Sequence, residues 1–535
     1  MTFDAEMLPL IAAVLESRGL KFDGAGLVEP DGVSFPLPDV PKIEELADLP
    51  SALPSRARGD LREKTIYNIV QDCADLAPKA RLQDATLKAA LDDSVGGDRS
   101  SRQVLSAVMK RQYWVEPTRR EGATGSPFLT PFHALLPGAY DYQGRYKSFR
   151  GSLLLFLSWD GHGFDLEAAN KLVKFLAGDE GLTILDREFL RVATELLEDR
   201  GVPLPKPDAQ RLADEFGDSI RKRFAAGAFD PHGLRRIRQD LDTIVDLPLP
   251  RHDKVAALVQ GLSINLALYY YRLSFTLGEG ITSCIAVGGG ADPSPRPDFS
   301  GRLLFRVGTG GDRPVQLGEA CSQSFLELDG KHLLALPASM AMANLLTLIS
   351  TAVGAAGVST LPDPYGLART MHERPEIRAR VDGLAAAVAV LVAAEADDPA
   401  ATVDRARKPG TGCLALHEAV LQNFRSRGST LKQRGRDVVH TLVGGYVGGL
   451  KRSRGPVNFF ELDEPVLFLL VELILARSGK DHLQFRTGFL PRLAEYGLSP
   501  QDRNEEGRLA GALERLGMLR RYSDAGEALY VSRSL

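Results

Sequence analysis

Cationic side chains are concentrated between Arg425 and Arg454 more than anywhere else in the sequence. The segment holds eight basic residues and a single acid, Asp437, so its net charge is +7 in a chain whose total is -4. Such segregation is typical of a protein with an anionic partner, and nucleic acid is the first candidate. We therefore predict that DNA phosphates are contacted by Arg425, Arg427, Lys432, Arg434, Arg436, Lys451, Arg452 and Arg454.

Paired glycines lie between the two basic clusters, on either side of Tyr446. Glycine lets the backbone bend or approach a phosphate closely, and the tyrosine is either a stacking residue or a core anchor. The alternative is that the whole run is a solvated helix and loop that packs against acidic neighbours. In that case the charge serves solubility and not a partner.

A second segment, Tyr140–Arg150, interleaves aromatic and cationic residues. Stacking faces beside cations are the components of a groove for single-stranded nucleic acid. The alternative is a strand at the solvent edge that leads into the apolar run Leu153–Trp159. As a secondary nucleic-acid contact we name Tyr142, Arg145, Tyr146, Lys147 and Arg150.

No set of residues predicts catalysis, a metal or a cofactor. Asp160, His162 and Asp165 are closely spaced, but one turn supplies only part of a metal coordination sphere, so a surface turn is favoured. The glycine runs Gly288–Asp292 and Gly308–Asp312 lack the residues of a phosphate loop and are interpreted as turns. The cysteines show no disulfide or zinc spacing and are expected to be reduced thiols: Cys73, Cys284, Cys321 and Cys413.

The predicted fold is mainly α and multidomain, with a small sheet in the middle region. A chain of 535 residues is too long for one core. We predict a helical domain at 1–150, a helical region at 151–250, a middle α+β domain at 251–395, a helix with the basic segment at 396–460, and a C-terminal domain at 461–535. In the middle domain, Val255–Leu277 is predicted to be a helix, and strands are predicted at Ile281–Val287, Gly301–Val307 and Ser324–Leu328.

Two uncharged runs, Val255–Tyr271 and Leu333–Pro362, raise the question of a membrane. They lack the Leu, Ile and Phe density and the aromatic belts that favour insertion, so they are interpreted as buried core helices. The N-terminal run has acids before its apolar residues and no early Lys or Arg, which predicts an amphipathic helix and not a signal peptide. We expect a cytoplasmic protein without membrane partners.

The C-terminal residues resemble a winged-helix domain. Asp463 as N-cap and Gly479 as terminator bound a first helix, and a second runs from near Thr487 to Gly497. A third begins with Ser499 as N-cap, and a hairpin follows. Arg520 and Arg521 in the wing are predicted phosphate contacts. Because the third helix carries acids as well as arginines, base-specific reading is not expected, and a protein-docking role is an equal alternative.

Arg434–Asp437, Lys451–Glu461 and this C-terminal end together are similar to accessory subunits of multi-gene bacterial phage-defence systems, such as phosphorothioation-dependent restriction complexes. The resemblance implies a non-catalytic partner of a helicase or nuclease subunit. The first hypothesis is thus a DNA-binding adaptor in a defence or DNA-processing complex. The second is a protein–protein scaffold that uses the winged helix as a docking module.

Overall fold

The computed structural model is mainly helical, with small sheets among the helices, which confirms the predicted fold class at that level. The residues it describes are 7–30, 32–47, 84–94, 98–115, 128–129, 152–160, 163–201, 208–214, 217–218, 230–308, 319–354, 363–394, 400–426, 436–437, 439–440, 442, 450–454, 457–522 and 528–533. The predicted nucleic-acid segment Tyr140–Arg150 lies outside these ranges. Its candidate contacts therefore stay predictions.

Short strands accompany amphipathic helices in the first part of the chain. A three-stranded antiparallel sheet, β1-β2-β3, lies near the N-terminus. The elements are α1 (Leu8–Glu16), β1 (Lys21–Phe22), β2 (Gly26–Val28), β3 (Ser34–Pro36), α2 (Ile43–Leu46), α3 (Asp84–Ser94), α4 (Arg99–Tyr113), β4 (Trp114–Val115), β5 (Phe128–Leu129), α5 (Ser152–Ser158), α6 (Leu166–Ala177), α7 (Ile184–Asp199) and α8 (Pro231–Asp246).

Longer helices and a central sheet follow. The elements are α9 (Arg251–Gly288), β6 (Leu303–Val307), α10 (Glu319–Phe325), a π-helical segment (Leu326–Leu333), α11 (Leu334–Ala352), α12 (Pro364–Glu373), α13 (Pro375–Ala393), α14 (Ala400–Ala406), α15 (Gly412–Ser426), β7 (Lys451–Arg454), β8 (Val457–Leu462), α16 (Glu464–Ser478), β9 (His482–Gln484), a π turn (Phe485–Phe489), α17 (Leu490–Glu495), β10 (Leu498–Pro500), α18 (Arg503–Arg515), β11 (Leu519–Tyr522) and β12 (Ala528–Ser532).

The predicted helix at Val255–Leu277 is confirmed and is longer than expected. It continues to Gly288, so the strand predicted at Ile281–Val287 is wrong. The β-branched residues of that run suggested a strand, but Cys284 is fully buried and its thiol donates to the Pro364 carbonyl at 2.9 Å. Burial against α12 thus outweighs local β-propensity. Gly290, at φ +93°, lies in the turn just beyond the helix.

The strand predicted at Gly301–Val307 is confirmed as β6, whereas the one predicted at Ser324–Leu328 is wrong. Those residues end α10 and begin the π-helical segment. Ser324 explains part of the difference, since its hydroxyl accepts from the Leu304 N–H at 3.1 Å and donates to the Arg302 carbonyl at 2.7 Å. The helix therefore packs on β6 through a side chain and not through a strand ladder.

A four-stranded sheet in the order β10-β6-β8-β7 joins distant parts of the chain. β6 is parallel to both neighbours, with Phe305 opposite Phe460 and Leu303 opposite Leu498. β7 pairs antiparallel with β8 at one edge. Residues of the predicted middle, basic and C-terminal regions are thus hydrogen-bonded into one sheet.

Two hydrophobic clusters form the core. The first gathers apolar residues of α5, α6 and α8, the part of α9 from Val255 to Leu277, β6, and the C-terminal elements. The second gathers α1, α11, α13 and α15 with Ile281, Cys284 and Val287 of α9. The long helix therefore contributes to both clusters. Two cores suit a multidomain chain, while the boundaries between the five predicted regions stay predictions.

One helical run in the described part of the chain is long and apolar enough to cross a membrane. It covers Ala320–Ala352, with a mean hydropathy of 1.7 in its most apolar window. In the structure 78% of that window is buried inside the fold. The run therefore packs as a core helix, as expected for Leu333 onward.

The C-terminal region contains α16, α17 and α18 with a three-stranded antiparallel sheet in the order β11-β12-β9. Gly479, at φ 62°, ends α16 as predicted, and Asp463 is its N-cap residue as predicted, although the Asp463 side chain makes no capping hydrogen bond. The predicted N-cap Ser499 is wrong, because Leu498–Pro500 is a strand paired with β6. Asp502 caps α18 instead and accepts from the Glu505 N–H at 2.9 Å.

Candidate nucleic-acid interface

The predicted phosphate contacts are distributed over three elements and the connections between them. Arg425 is exposed in the last turn of α15. Lys451, Arg452 and Arg454 belong to β7, whose backbone pairs with β8. Arg427, Lys432 and Arg434 lie outside the described residues, as do the side chains of β7. The described ends of the basic segment are thus attached to a helix and to a sheet edge.

Arg436, in the middle of the basic segment, binds a buried carboxylate. Its Nε donates to Asp329 Oδ2 at 2.8 Å, and its side chain is 29% exposed. Asp329 itself is fully buried. At Arg436 this pairing matches the alternative interpretation, in which the basic run packs against acidic neighbours. The partner itself was not predicted, because Asp329 is 107 positions away in sequence.

Two more side chains contact the Asp329 carboxylate. The Tyr271 hydroxyl donates to Oδ1 at 3.0 Å, and His440 Nε2 lies 2.5 Å from the same oxygen. Burial raises the pKa of Asp329, but the hydrogen bond and charge of His440, then the charge of Arg436, outweigh it and hold that pKa below its usual value. Asp329 is therefore an anionic anchor for the basic segment.

The π-helical segment places Asp329 in the interior. Residues Leu326–Leu333 widen an otherwise continuous helix from α10 to α11, and π-helical turns are often found at functional positions. Glu327 and Lys331 of this segment are exposed, while Asp329 and His332 are buried. Asp329 is one of four charged or titratable residues in this segment, so the sequence carried no signal that singles it out as the anchor.

Aromatic packing connects the anchor to the sheet that carries β7. The Phe460 ring of β8 lies 5.3 Å from the Tyr271 ring and 5.1 Å from the Phe325 ring, centroid to centroid. Phe460 pairs with Lys451 in the β7–β8 ladder. The anchor at Asp329 and the basic edge strand are thus two sides of one packed unit.

Most arginines of the C-terminal region described in the structure are ion-paired. Arg521, a predicted wing contact, lies 3.3 Å from Glu514, and Arg515 lies 2.8 Å from Glu464. Arg520, the other predicted wing contact, is exposed and has no carboxylate partner within the described residues. The positive electrostatic potential at this surface is therefore weaker than the number of arginines suggests, and so is its attraction for phosphate.

Glu505 explains why α18 carries an acid near its N-terminus. The side chain is buried, accepts from the Val307 N–H at 3.1 Å and from Arg508 at 2.6 Å, and lies 3.8 Å from Arg306. It connects α18 to the end of β6. The Glu505 carboxylate therefore lies inside the fold and does not repel a phosphate at the surface of α18. Not every acid of this helix counts against DNA binding.

Metal chemistry has no support among the described residues, where no group of three or more His, Cys, Asp or Glu could hold an ion. In the predicted surface turn, Asp160 accepts from the Gly163 N–H at 2.8 Å and Asp165 caps α6. Both carboxylates thus serve local backbone structure. His162 and the glycine run at 309–312 lie outside the described residues.

A second buried carboxylate, Asp240 of α8, connects the C-terminal region to the helices. It accepts from the Tyr496 hydroxyl at 2.9 Å and lies 3.5 Å from Arg477. Burial raises its pKa to about 6, although Arg477 and the hydrogen bonds of Tyr496 and Asn265 oppose that shift. Its charged form is therefore held in place at an energetic cost.

We expect Asp240 to make stability depend on pH. Because its pKa is raised on folding from 3.8 to about 6, its stabilising contribution is complete below the unfolded value and is lost as pH rises through the folded one. Between pH 4 and pH 7, the free energy of unfolding of the wild type relative to Asp240→Asn should fall by about 2 kcal/mol, because at pH 4 the carboxyl of the unfolded chain is already partly ionised. Urea unfolding at both pH values measures it.

The control for this experiment is Asp242→Asn, on the same helix, whose side chain is 43% exposed and pairs with Lys171. Solvent screening should make its effect small at either pH. A difference between wild type and Asp240→Asn that is the same at both pH values would contradict the prediction.

Comparison with known proteins gives no family. No protein-family model matches the chain, and no curated protein matches it.

Proposed function

We propose that this protein is a non-catalytic, DNA-associated adaptor subunit of a bacterial defence or DNA-processing complex. The observation that carries the proposal is the attachment of the cation-rich segment 425–454 to the folded body. Arg436 and His440 bind the buried Asp329, and β7 pairs with β8. A segment held at these points loses less conformational entropy on binding than a free tail would.

The order of the C-terminal elements supports a winged-helix assignment for residues 464–532. A helix, a strand, two helices separated by the short strand β10, and a hairpin follow one another. β9 pairs with β12 of the hairpin, while β10 pairs with β6 outside this region. In this assignment β11 and β12 form the wing, and Arg520 on β11 is an exposed cation. The wing then contributes a phosphate contact beside the basic segment.

Contacts to the phosphate backbone, and not to bases, fit the charges of α18. In a winged helix this third helix would enter the major groove. Here Arg508 and Arg515 are paired with Glu505 and Glu464, so few cations remain for base edges. Phosphate contacts position a protein on DNA without specifying sequence. We therefore propose an adaptor that lacks its own sequence preference.

The decisive experiment measures DNA affinity of the full-length protein against salt concentration. Each neutralised phosphate contributes about −0.9 to the slope of log K against log salt, so a slope of roughly −3 or steeper is expected. Duplexes of unrelated sequence should bind equally. Absence of binding at low salt, or a slope near zero, would overturn the proposal.

A second candidate is a protein–protein scaffold in which the C-terminal region is a docking module. It is favoured by the paired charges of the surface, including Arg521 with Glu514 and Arg486 with Glu506. Such a surface suits a polar protein interface better than a polyanion. Co-purification of a helicase or nuclease subunit that survives nuclease treatment supports the scaffold, whereas loss of the partner on nuclease treatment supports DNA as the bridge.

A further inference from the structure

A Gly-Glu-Gly sequence interrupts the apolar helix α9. Gly278 and Gly280 flank Glu279, although glycine is an unfavourable residue inside a helix. A Cβ at Gly278 would lie 2.8 Å from Nδ1 of His332, and a Cβ at Gly280 would lie 3.0 Å from the Tyr365 ring. Each glycine thus lets an aromatic ring lie against the helix backbone, one on either side of Glu279.

The two rings carry polar atoms without partners. His332 is 4% exposed and Tyr365 is 7% exposed, and neither His332 Nε2 nor the Tyr365 hydroxyl has a hydrogen-bond partner within the described structure. Buried polar groups are nearly always satisfied, so two such atoms on rings that pack against one Gly-Glu-Gly sequence require an explanation. Glu279 is 39% exposed, and its Oε1 lies 3.8 Å from His332 Nε2. The Glu279 side chain therefore places a partly exposed carboxylate close to His332 Nε2.

The protonation states of the rings are set by their surroundings. Burial, followed by the charge of Lys331, lowers the pKa of His332 to about 4, so its imidazole is neutral near pH 7. Burial, followed by the Glu279 carboxylate, raises the pKa of the Tyr365 hydroxyl, which stays protonated. The three groups therefore carry a single negative charge, on Glu279.

A ligand that suits these groups is a positively charged hydrogen-bond donor. A carboxylate oxygen, a phenol oxygen and the unprotonated nitrogen of a neutral imidazole each accept hydrogen bonds. A primary ammonium has three N–H donors and no acceptor. The Phe275 ring packs edge-on to His332 with centroids 5.1 Å apart, which provides an apolar surface for an attached carbon chain.

We propose that Glu279, His332 and Tyr365 form a binding site for a primary ammonium group, supplied either by a small alkylamine or by a lysine side chain of a partner protein. The site is independent of the DNA-associated role. Arg296 lies over the Tyr365 ring, 5.9 Å from its centroid, but it is exposed, so water and salt screen its repulsion of the bound cation.

The test follows the imidazole signals of His332 by NMR in the full-length protein, with the assignment made by His332→Gln. Titration with n-butylammonium should shift them with a dissociation constant in the millimolar range, the affinity expected for so small a ligand. Butyltrimethylammonium keeps the charge but has no N–H donor, and n-butanol has no charge, so both should bind more weakly. A short peptide with one lysine binding more tightly than n-butylammonium identifies a protein source; weaker binding of the peptide identifies a free amine.

Glu279→Gln should weaken n-butylammonium binding at least about tenfold, because it removes a charged hydrogen-bond acceptor. Tyr365→Phe keeps the ring on Gly280 and should weaken binding by a smaller factor. Glu327→Gln, an exposed carboxylate on the π-helical segment, is the control and should leave binding unchanged. Unshifted His332 signals in the folded protein, or equal affinity of the wild type and Glu279→Gln, would overturn the site and leave an ordinary buried water as the partner of these atoms.

Discussion

Replacing Asp329 by Ala is expected to lower the free energy of unfolding by about 3–5 kcal/mol, the range typical for removing one partner of a buried ion pair. Asp329 is fully buried and accepts from Tyr271, Arg436 and His440. Its removal leaves a buried phenol without a partner and the Arg436 cation without a counter-ion. Urea unfolding near neutral pH measures the loss.

Two matched variants serve as controls for Asp329→Ala. Glu327→Ala lies on the same π-helical segment but is exposed, so it should change stability by no more than about 0.5 kcal/mol. Asp329→Asn keeps an acceptor for Tyr271 and should lose less than Asp329→Ala. Equal stability of Asp329→Ala and Glu327→Ala would show that Asp329 is not an anchor.

Neutralising the basic segment should reduce DNA affinity more than any other surface change. In the variant with Arg434, Lys451, Arg452 and Arg454 replaced by Gln, the slope of log K against log salt should become shallower by about 3 to 4. The affinity at low salt should fall by about a hundredfold or more, since each lost phosphate contact also loses counterion release. Binding isotherms at several salt concentrations measure both quantities.

The control for this variant carries the same change in net charge elsewhere. It replaces four exposed cations of the helical region by Gln, at Lys174, Arg187, Arg200 and Arg235. If the protein binds DNA through the segment, the control should keep nearly the full slope. A control that loses as much affinity as the segment variant would indicate a general field effect and would contradict the interface.

Arg436 is kept out of this variant because the structure gives it a different role. Its guanidinium pairs with Asp329, so Arg436→Gln would confuse lost stability with lost DNA contact. We expect Arg436→Gln to reduce both, whereas Lys451→Gln should reduce affinity alone. Measuring unfolding and DNA binding on the same two variants separates anchoring from contact.

Local signals in the sequence were enough for several elements. The glycine after α16 and the turn between β11 and β12 are readable because caps and turns act over a few residues. The mainly helical class follows from the spacing of apolar residues, and the segregation of charge at 425–454 follows from the positions of the charged residues. None of these required knowledge of distant contacts.

The tertiary structure decided what those elements do. Ile281–Val287 became helix because Ile281, Cys284 and Val287 are buried in the second core, which includes α12. Leu498–Pro500 became strand because β6 lies beside it. The counter-ion of Arg436 is a residue of the π-helical segment, and the rings that contact Gly278 and Gly280 come from two other elements. The sequence shows which charged residues exist. Only the fold shows which carboxylate lies within hydrogen-bonding distance of which cation, because that distance is set by packing between segments that are far apart in the chain.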